Sequence, residues 1–151
     1  SKSYGVPGIR LGILCSAATD IISRMKKMVS IWNINSFAEF FMQIFTKYED
    51  EYLKACDKFI AERNDFEQKL REISFLRVMP SQANYFLCEI LPPYNANALV
   101  LKMLKQYNIL TRDCSTKGGF DGKQYMRIAV RSHADNARLI AAYKEIENEN
   151  K

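Results

Sequence analysis

Four basic residues in this 151-residue chain sit where their chemistry matters more than their bulk charge. Lys2 opens the segment SKSYGVPGIRLG, in which Gly5, Pro7 and Gly8 rule out a regular helix or a central strand, so the lysine runs straight into a tight loop. A lysine amine becomes a nucleophile at neutral pH when it is desolvated or placed near other cations. Arg10 comes eight positions later and enters an apolar run, residues 9–15, short and apolar enough to be expected as a buried strand. A guanidinium at the mouth of such a strand is matched by an anionic ligand, and its planar fork suits a phosphate. Arg112 in ILTRDC and Arg127 in QYMRIAVRS interrupt two short strand patterns where a buried strand prefers apolar residues. Each of these two can equally be a surface residue or a partner of Asp113, and the first segment can be a Gly/Pro loop with one surface lysine and one ordinary arginine.

Composition narrows the function classes. The formal net charge is +5, yet outside Arg24, Lys26 and Lys27 the basic residues alternate with acids along predicted helices, as on a solvated surface. No nucleic-acid surface is expected. There is no initiator methionine, no signal peptide and no apolar run near membrane-spanning length, so the chain is expected to be the carboxy-terminal part of a longer, cytoplasmic protein with no membrane contact. Cys15, Cys56, Cys88 and Cys114 lie far apart in apolar or strand-like contexts and are read as small hydrophobes in a reducing compartment. With His133 the only histidine, no zinc or other metal site is expected.

The elements that must position the basic residues are read from periodicity and caps. Ser16 is expected to cap a helix running to about Lys27, with Asp20 suited to its positive end. Ser36 or Asn35 can cap a second helix carrying Phe37, Phe40, Phe41, Ile44 and Phe45, read as core and not as a binding platform. Residues 48–73 form one long helical pattern with a single apolar stripe that includes Tyr52, Cys56, Phe59, Phe66, Leu70 and Ile73, unbroken by glycine or proline and suited to joining two domains. Beyond Ser74 the texture changes to strands over residues 75–79, 84–90, 109–114 and 125–130. A helix through Leu99 and Met103, capped by Asn95 or Asn97, separates the second and third. A capping box of Ser132 and Asp135 opens a last helix from His133 to about Ile146, and the tail ENENK reads as disordered. The order β-β-α-β-β-α gives an α+β fold, helices covering one face of a largely antiparallel sheet.

Five segments carry a family resemblance. The pattern S-K-x-x-G-x-x-G-x-R-x-G resembles the cofactor-lysine segment of the fold type I pyridoxal-phosphate (PLP) enzymes, the aspartate aminotransferase superfamily, of the class I/II aminotransferase type. WNINSFAEFF, PSQANYFL, ILTRDC and MRIAVRSHADNARLI resemble, in order, the small carboxy-terminal domain of its histidinol-phosphate aminotransferase and threonine-phosphate decarboxylase branch. The resemblance implies that residues 1–34 are a remnant of the PLP-binding large domain, and residues 35–151 a long interdomain helix plus the small domain. It implies that Lys2 bonds to the cofactor aldehyde and afterwards moves the α-proton, that Arg10 grips the cofactor phosphate with Ser1 beside it, that Arg127 binds the substrate α-carboxylate and that Arg112 binds a distal phosphate. Tyr4 and Asn84 are further candidates to line the site; Arg131 and His133 read at least as well as surface residues.

The resemblance further implies a PLP-dependent aminotransferase acting on a small, phosphorylated amino acid, homodimeric at full length. The wording RDC…GGFDG…MRIAVRS is closer to the threonine-phosphate decarboxylases, but Lys117 stands where an aromatic residue is expected there, so a lyase is the alternative. A non-catalytic interaction domain is the second. Most cofactor contacts would lie in the N-terminal large domain, so this chain alone is expected to bind PLP weakly or not at all and to be inactive.

Overall fold

The computed structural model describes residues 4–120 and 122–149, in two compact units, Ser1–Cys56 and Asp57–Lys151. Ser1 and Lys2 therefore lie outside the described residues.

In the first unit, a 3-10 turn, Pro7–Ile9, leads to Arg10 and precedes helices α1 (Thr19–Met28) and α2 (Ser36–Phe45), the latter followed by a second 3-10 turn, Thr46–Tyr48. The buried strand expected over residues 9–15 does not form: residues 10–15 are irregular, and Ile13 is 88% exposed. A strand is stable only when a neighbour takes up its backbone N–H and C=O groups. Among the described residues no strand pairs with this run. Helix α1 starts at Thr19 with no side-chain cap; the Ser16 hydroxyl instead accepts from the Ala18 N–H at 3.1 Å, two residues ahead of the capping position. Helix α2 is capped by Asn35, whose side-chain oxygen accepts from the Ala38 N–H at 3.0 Å. Its aromatic band divides. Phe41 and Phe45 pack with Tyr4 and Tyr52, the Tyr4 and Phe45 rings 4.7 Å apart, whereas Phe37 and Phe40 are exposed.

Helix α3 (Glu49–Arg71) is 23 residues long and runs from the first unit into the second. The second unit holds a four-stranded sheet of β1 (Leu76–Val78), β2 (Tyr85–Ile90), β3 (Arg112–Asp113) and β4 (Tyr125–Ala129), in the order β1-β2-β4-β3. All three pairings are antiparallel. Phe86, Cys88 and Ile90 of β2 and Met126 and Ile128 of β4 point to one face. That face is covered by Phe66 and Leu70 of α3, Leu99 and Met103 of α4 (Ala96–Tyr107), and Leu139, Tyr143 and Ile146 of α5 (His133–Glu149). The expected α+β architecture, helices on one side of an antiparallel sheet, is what forms.

Caps set the helix starts. Asn95, not Asn97, caps α4, accepting from the Ala98 N–H at 3.0 Å, and Asn108 ends it in the left-handed region. Ser132 and Asp135 make the first half of the expected box, the Asp135 N–H donating to the Ser132 hydroxyl at 3.3 Å, while the Asp135 carboxylate accepts from that same hydroxyl at 2.9 Å. Helix α5 runs on to Glu149, taking in part of the tail read as disordered; residues 150 and 151 lie outside the described ones. No described helix is long and apolar enough to cross a membrane.

Core and cap differ in what their loss should cost. Phe86→Ala, in a fully buried position beneath α3, should cost about 3–5 kcal/mol in urea denaturation, against about 1 kcal/mol for Asn95→Ala. The Ser132 hydroxyl and then the Arg131 guanidinium, 3.1 Å away, hold the Asp135 carboxyl below the usual carboxylate range. A carboxyl lowered in the native state favours folding above its unfolded value of about 3.9, an advantage lost as pH falls through the native value. Asp135→Asn should therefore lower stability at neutral pH and flatten its decline on acidification, measured as the urea midpoint against pH.

Candidate functional site

The face of the sheet opposite the helices carries both strand arginines named from sequence. Because side chains alternate along a strand, burying Phe86, Cys88, Met126 and Ile128 turns Tyr85, Leu87 and Glu89 of β2 and Tyr125, Arg127 and Ala129 of β4 the other way. Arg112 of β3 is the direct register partner of Arg127, and Leu87 flanks Arg127 on its other side. The two arginines named from sequence are thus brought together on one exposed face. Directly opposed side chains have Cβ atoms about 5 Å apart, close enough for two guanidiniums to share one anion.

Little nearby neutralises them. Glu89 is the one acid that the strands place on this face among the described residues, and Arg77 of β1 pairs with it. Asp113 faces the other way: burial opposes its ionisation, but hydrogen bonds from the Ser115 N–H at 2.8 Å, the Ser115 hydroxyl and the Asn97 side chain together outweigh that and hold its carboxyl low. Arg112 consequently has no partner in Asp113. Neither Arg112 nor Arg127 forms a salt bridge with a described acid; Arg127 instead lies over the Tyr85 ring, its guanidinium carbon 5.2 Å from the ring centre. A cation over an aromatic face gains about 0.5–1 kcal/mol at an exposed site and is fixed in direction.

The inner face offers no competing chemistry. Burial pushes the Cys88 thiol up to about 12 and the Tyr143 hydroxyl upward too, so neither is a nucleophile at neutral pH. Cys114 is buried as well, whereas Cys15 is exposed and is not the core hydrophobe expected from its apolar context.

In the first unit, Arg10 sits at the end of the Pro7–Ile9 turn with φ +57°. Its N–H closes the turn on the Pro7 carbonyl, and among the described residues its guanidinium reaches only that same carbonyl, at 3.5 Å. It has no carboxylate partner among the described residues. The turn is tied down from the far side: the Asn35 side chain that caps α2 also donates to the Ile9 carbonyl at 2.8 Å. Tyr4 is held by the aromatic cluster with Phe41, Phe45 and Tyr52. Lys2, expected at the centre of the chemistry, and Ser1 are not among the described residues.

Of the weaker candidates, Asn84 offers its carbonyl to the Val130 N–H at the end of the β2–β4 ladder, and Arg131 pairs with Asp135 on the surface. Tyr85 and the second bond of Asn35 were missed from sequence. Tyr85 had the alternation with Leu87 to mark it as outward, but only the β2–β4 register sets it beside Arg127. Asn35 gave a capping signal and nothing that pointed 26 residues back to Ile9.

Comparison with known proteins gives this arrangement a family. The model for aminotransferases of class I and II matches residues 1–142. The chain is 32% identical over 146 residues to a CMP-5'-(3-aminopropyl)phosphonate synthase of Streptomyces rubellomurinus, covering 97% of this chain and 23% of that protein. It is 33% identical over 148 residues to an L-serine phosphate decarboxylase of Campylobacter jejuni, covering 97% and 37%. The crystal structure of the histidinol-phosphate aminotransferase of Clostridium acetobutylicum superposes with a TM-score of 0.79 at 30% identity, covering 97% of this chain and 43% of that one. The chain thus spans well under half the length of these relatives. Histidinol-phosphate aminotransferases and threonine-phosphate decarboxylases recur among the similar proteins, PLP-dependent enzymes of the branch that the five sequence segments resemble. With the family model matching residues 1–142 and a solved relative superposing over 97% of the chain, the chain belongs to the class I and II aminotransferase family.

Proposed function

We propose that this chain supplies the carboxy-terminal part of a PLP-dependent enzyme that acts on a small amino acid carrying a phosphate group. The observation that carries the reading is the pair Arg112 and Arg127, in direct register on the exposed face of the sheet with no salt bridge to any described acid. Two like charges opposed across a ladder cost about 0.2–1 kcal/mol. A substrate with two anionic groups turns that repulsion into two charge-assisted contacts. Arg127, steadied by Tyr85, takes the α-carboxylate, and Arg112 takes the phosphate. Fixing a substrate at both ends converts binding energy into alignment of its α-carbon.

The residues present fit the cofactor. Arg10 offers a guanidinium with no carboxylate among the described residues, on a turn braced by Asn35, which is a donor suited to the cofactor phosphate; Ser1, outside the described residues, is assigned to the same phosphate by the resemblance alone. PLP, when bound, supplies an electron sink for the pair left behind when a bond to the substrate α-carbon breaks. Lys2 provides the amine that holds the cofactor and later moves the α-proton. In this reading residues 1–34 belong to a cofactor-binding domain, α3 links it to the small domain within residues 35–151, and the full protein is a cytoplasmic homodimer.

Transamination is the first reading: Arg127 would hold the α-carboxylate in place, leaving the α-proton as the group that Lys2 would remove. Decarboxylation is the second, favoured by relatives named as decarboxylases of serine phosphate and threonine phosphate. The full-length holoenzyme, given O-phosphothreonine and O-phosphoserine with and without a 2-oxo acid, separates the two by NMR of the products. Loss of the amino group that requires the oxo acid makes it an aminotransferase; carbon dioxide with the amine phosphate makes it a decarboxylase; no turnover of either kind on these substrates or on histidinol phosphate overturns the reading. Arg112→Gln should lower kcat/KM for the phosphorylated substrate about 10- to 100-fold, mostly through KM, with little change for the unphosphorylated amino acid.

A further inference from the structure

The sequence expectation of no metal site counted one histidine and scattered cysteines; the fold adds two carboxylates to that histidine. Glu62 and Asp65 lie three residues apart on one side of α3, and His133 is the first residue of α5. One ligand atom of each lies within 4.8 Å of the others. The sheet-facing arginine pair plays no part in this cluster.

The cluster is organised beyond mere proximity. Asn136, 5% exposed, donates from its side-chain amide to the Glu62 Oε1 at 2.8 Å, and its own oxygen is engaged by the Arg131 N–H at 3.0 Å. Glu62 is thereby fixed through one oxygen with the other turned to the His133 Nδ1, 3.1 Å away. A buried amide orienting one oxygen of a carboxylate while the other stays available is the outer-shell arrangement that tunes metal ligands. Asp65 is the flexible member: its carboxylate is bonded to Lys69 at 2.6 Å, in an ion pair open to solvent on both sides. Exposed pairs of this kind contribute about 0–1 kcal/mol, so Asp65 gives up Lys69 at small cost. His133 has a largely exposed side chain and is free to turn its ring.

We propose that Glu62, Asp65 and His133 bind a divalent first-row transition ion, with zinc as the best match. One imidazole nitrogen and two carboxylate oxygens suit zinc, with its remaining position open to water, better than they suit calcium or magnesium, which prefer oxygen alone. Ligand atoms around zinc sit about 3.4 Å apart, so a small inward shift of Asp65 and His133 closes the site. Binding would clasp α3 to the start of α5, and an ion bound only by the native state raises stability by mass action.

The test is calorimetric titration of the chain with zinc at neutral pH, with thermal melting in parallel. Expected are one saturable site, a zinc-dependent rise in Tm, a loss of about tenfold or more in affinity in His133→Ala and in Asp65→Asn, and tighter binding in Lys69→Met, which frees Asp65. His133 is exposed and Asp65 half-buried, and melting without zinc verifies that both loss variants fold. Absence of saturable binding up to millimolar zinc, or zinc binding that His133→Ala leaves unchanged, as from the exposed Cys15 thiol, would overturn the proposal.

Discussion

The register between β2 and β4 is the constraint on which the site depends. Phe86 faces Ile128 and Cys88 faces Met126, all four fully buried under α3, α4 and α5. A slip of one residue would drive Arg127 into that core and expose Ile128, at a cost far above what any surface contact could return. Burial of apolar area, about 25 cal/mol per Å², therefore fixes the direction of a residue that contributes nothing to the core itself. Arg112 inherits its place from Arg127 through a two-residue strand, and the inward-turned Asp113, bonded to the Ser115 N–H, holds that short strand in phase.

The outcome is a sheet with unequal faces. One is dry and chemically inert, its thiol and phenol kept protonated by burial. The other carries two guanidiniums side by side, one of them braced on Tyr85, with the nearest strand acid already committed to Arg77. Natural sheets commonly place opposite charges across a ladder, because like charges repel. Retaining a repulsive pair makes physical sense where an anionic ligand completes it, and the family to which the chain belongs includes enzymes named for phosphorylated substrates.

Much of this was legible in the sequence. The caps at Asn35, Asn95 and Ser132, the alternation of Tyr85 and Leu87 against Phe86 and Cys88, and the stripe of α3 are local signals, and local signals survive without knowledge of the fold. Strand pairing is not local. Nothing in ILTRDC or QYMRIAVRS says that Arg112 and Arg127 oppose each other, nor that Asp113 turns inward. The failure over residues 9–15 has the same origin: apolar composition makes a strand possible, but a partner strand makes it real, and none pairs with this run among the described residues. The Glu62, Asp65 and His133 cluster was invisible for a related reason, since 68 residues separate its two halves and carboxylates on a helix surface are ordinary.

That Arg112 and Arg127 are opposed for the sake of a ligand, at a small cost to the fold, is tested most directly by the urea midpoint of the chain carrying Arg112→Gln at low and high salt. The predicted result is a variant as stable as the parent or more so by about 0.2–1 kcal/mol at low salt, the difference shrinking as salt screens the repulsion. A variant less stable than the parent by about 1 kcal/mol or more, regardless of salt, would make Arg112 a structural residue and contradict a ligand-driven pairing.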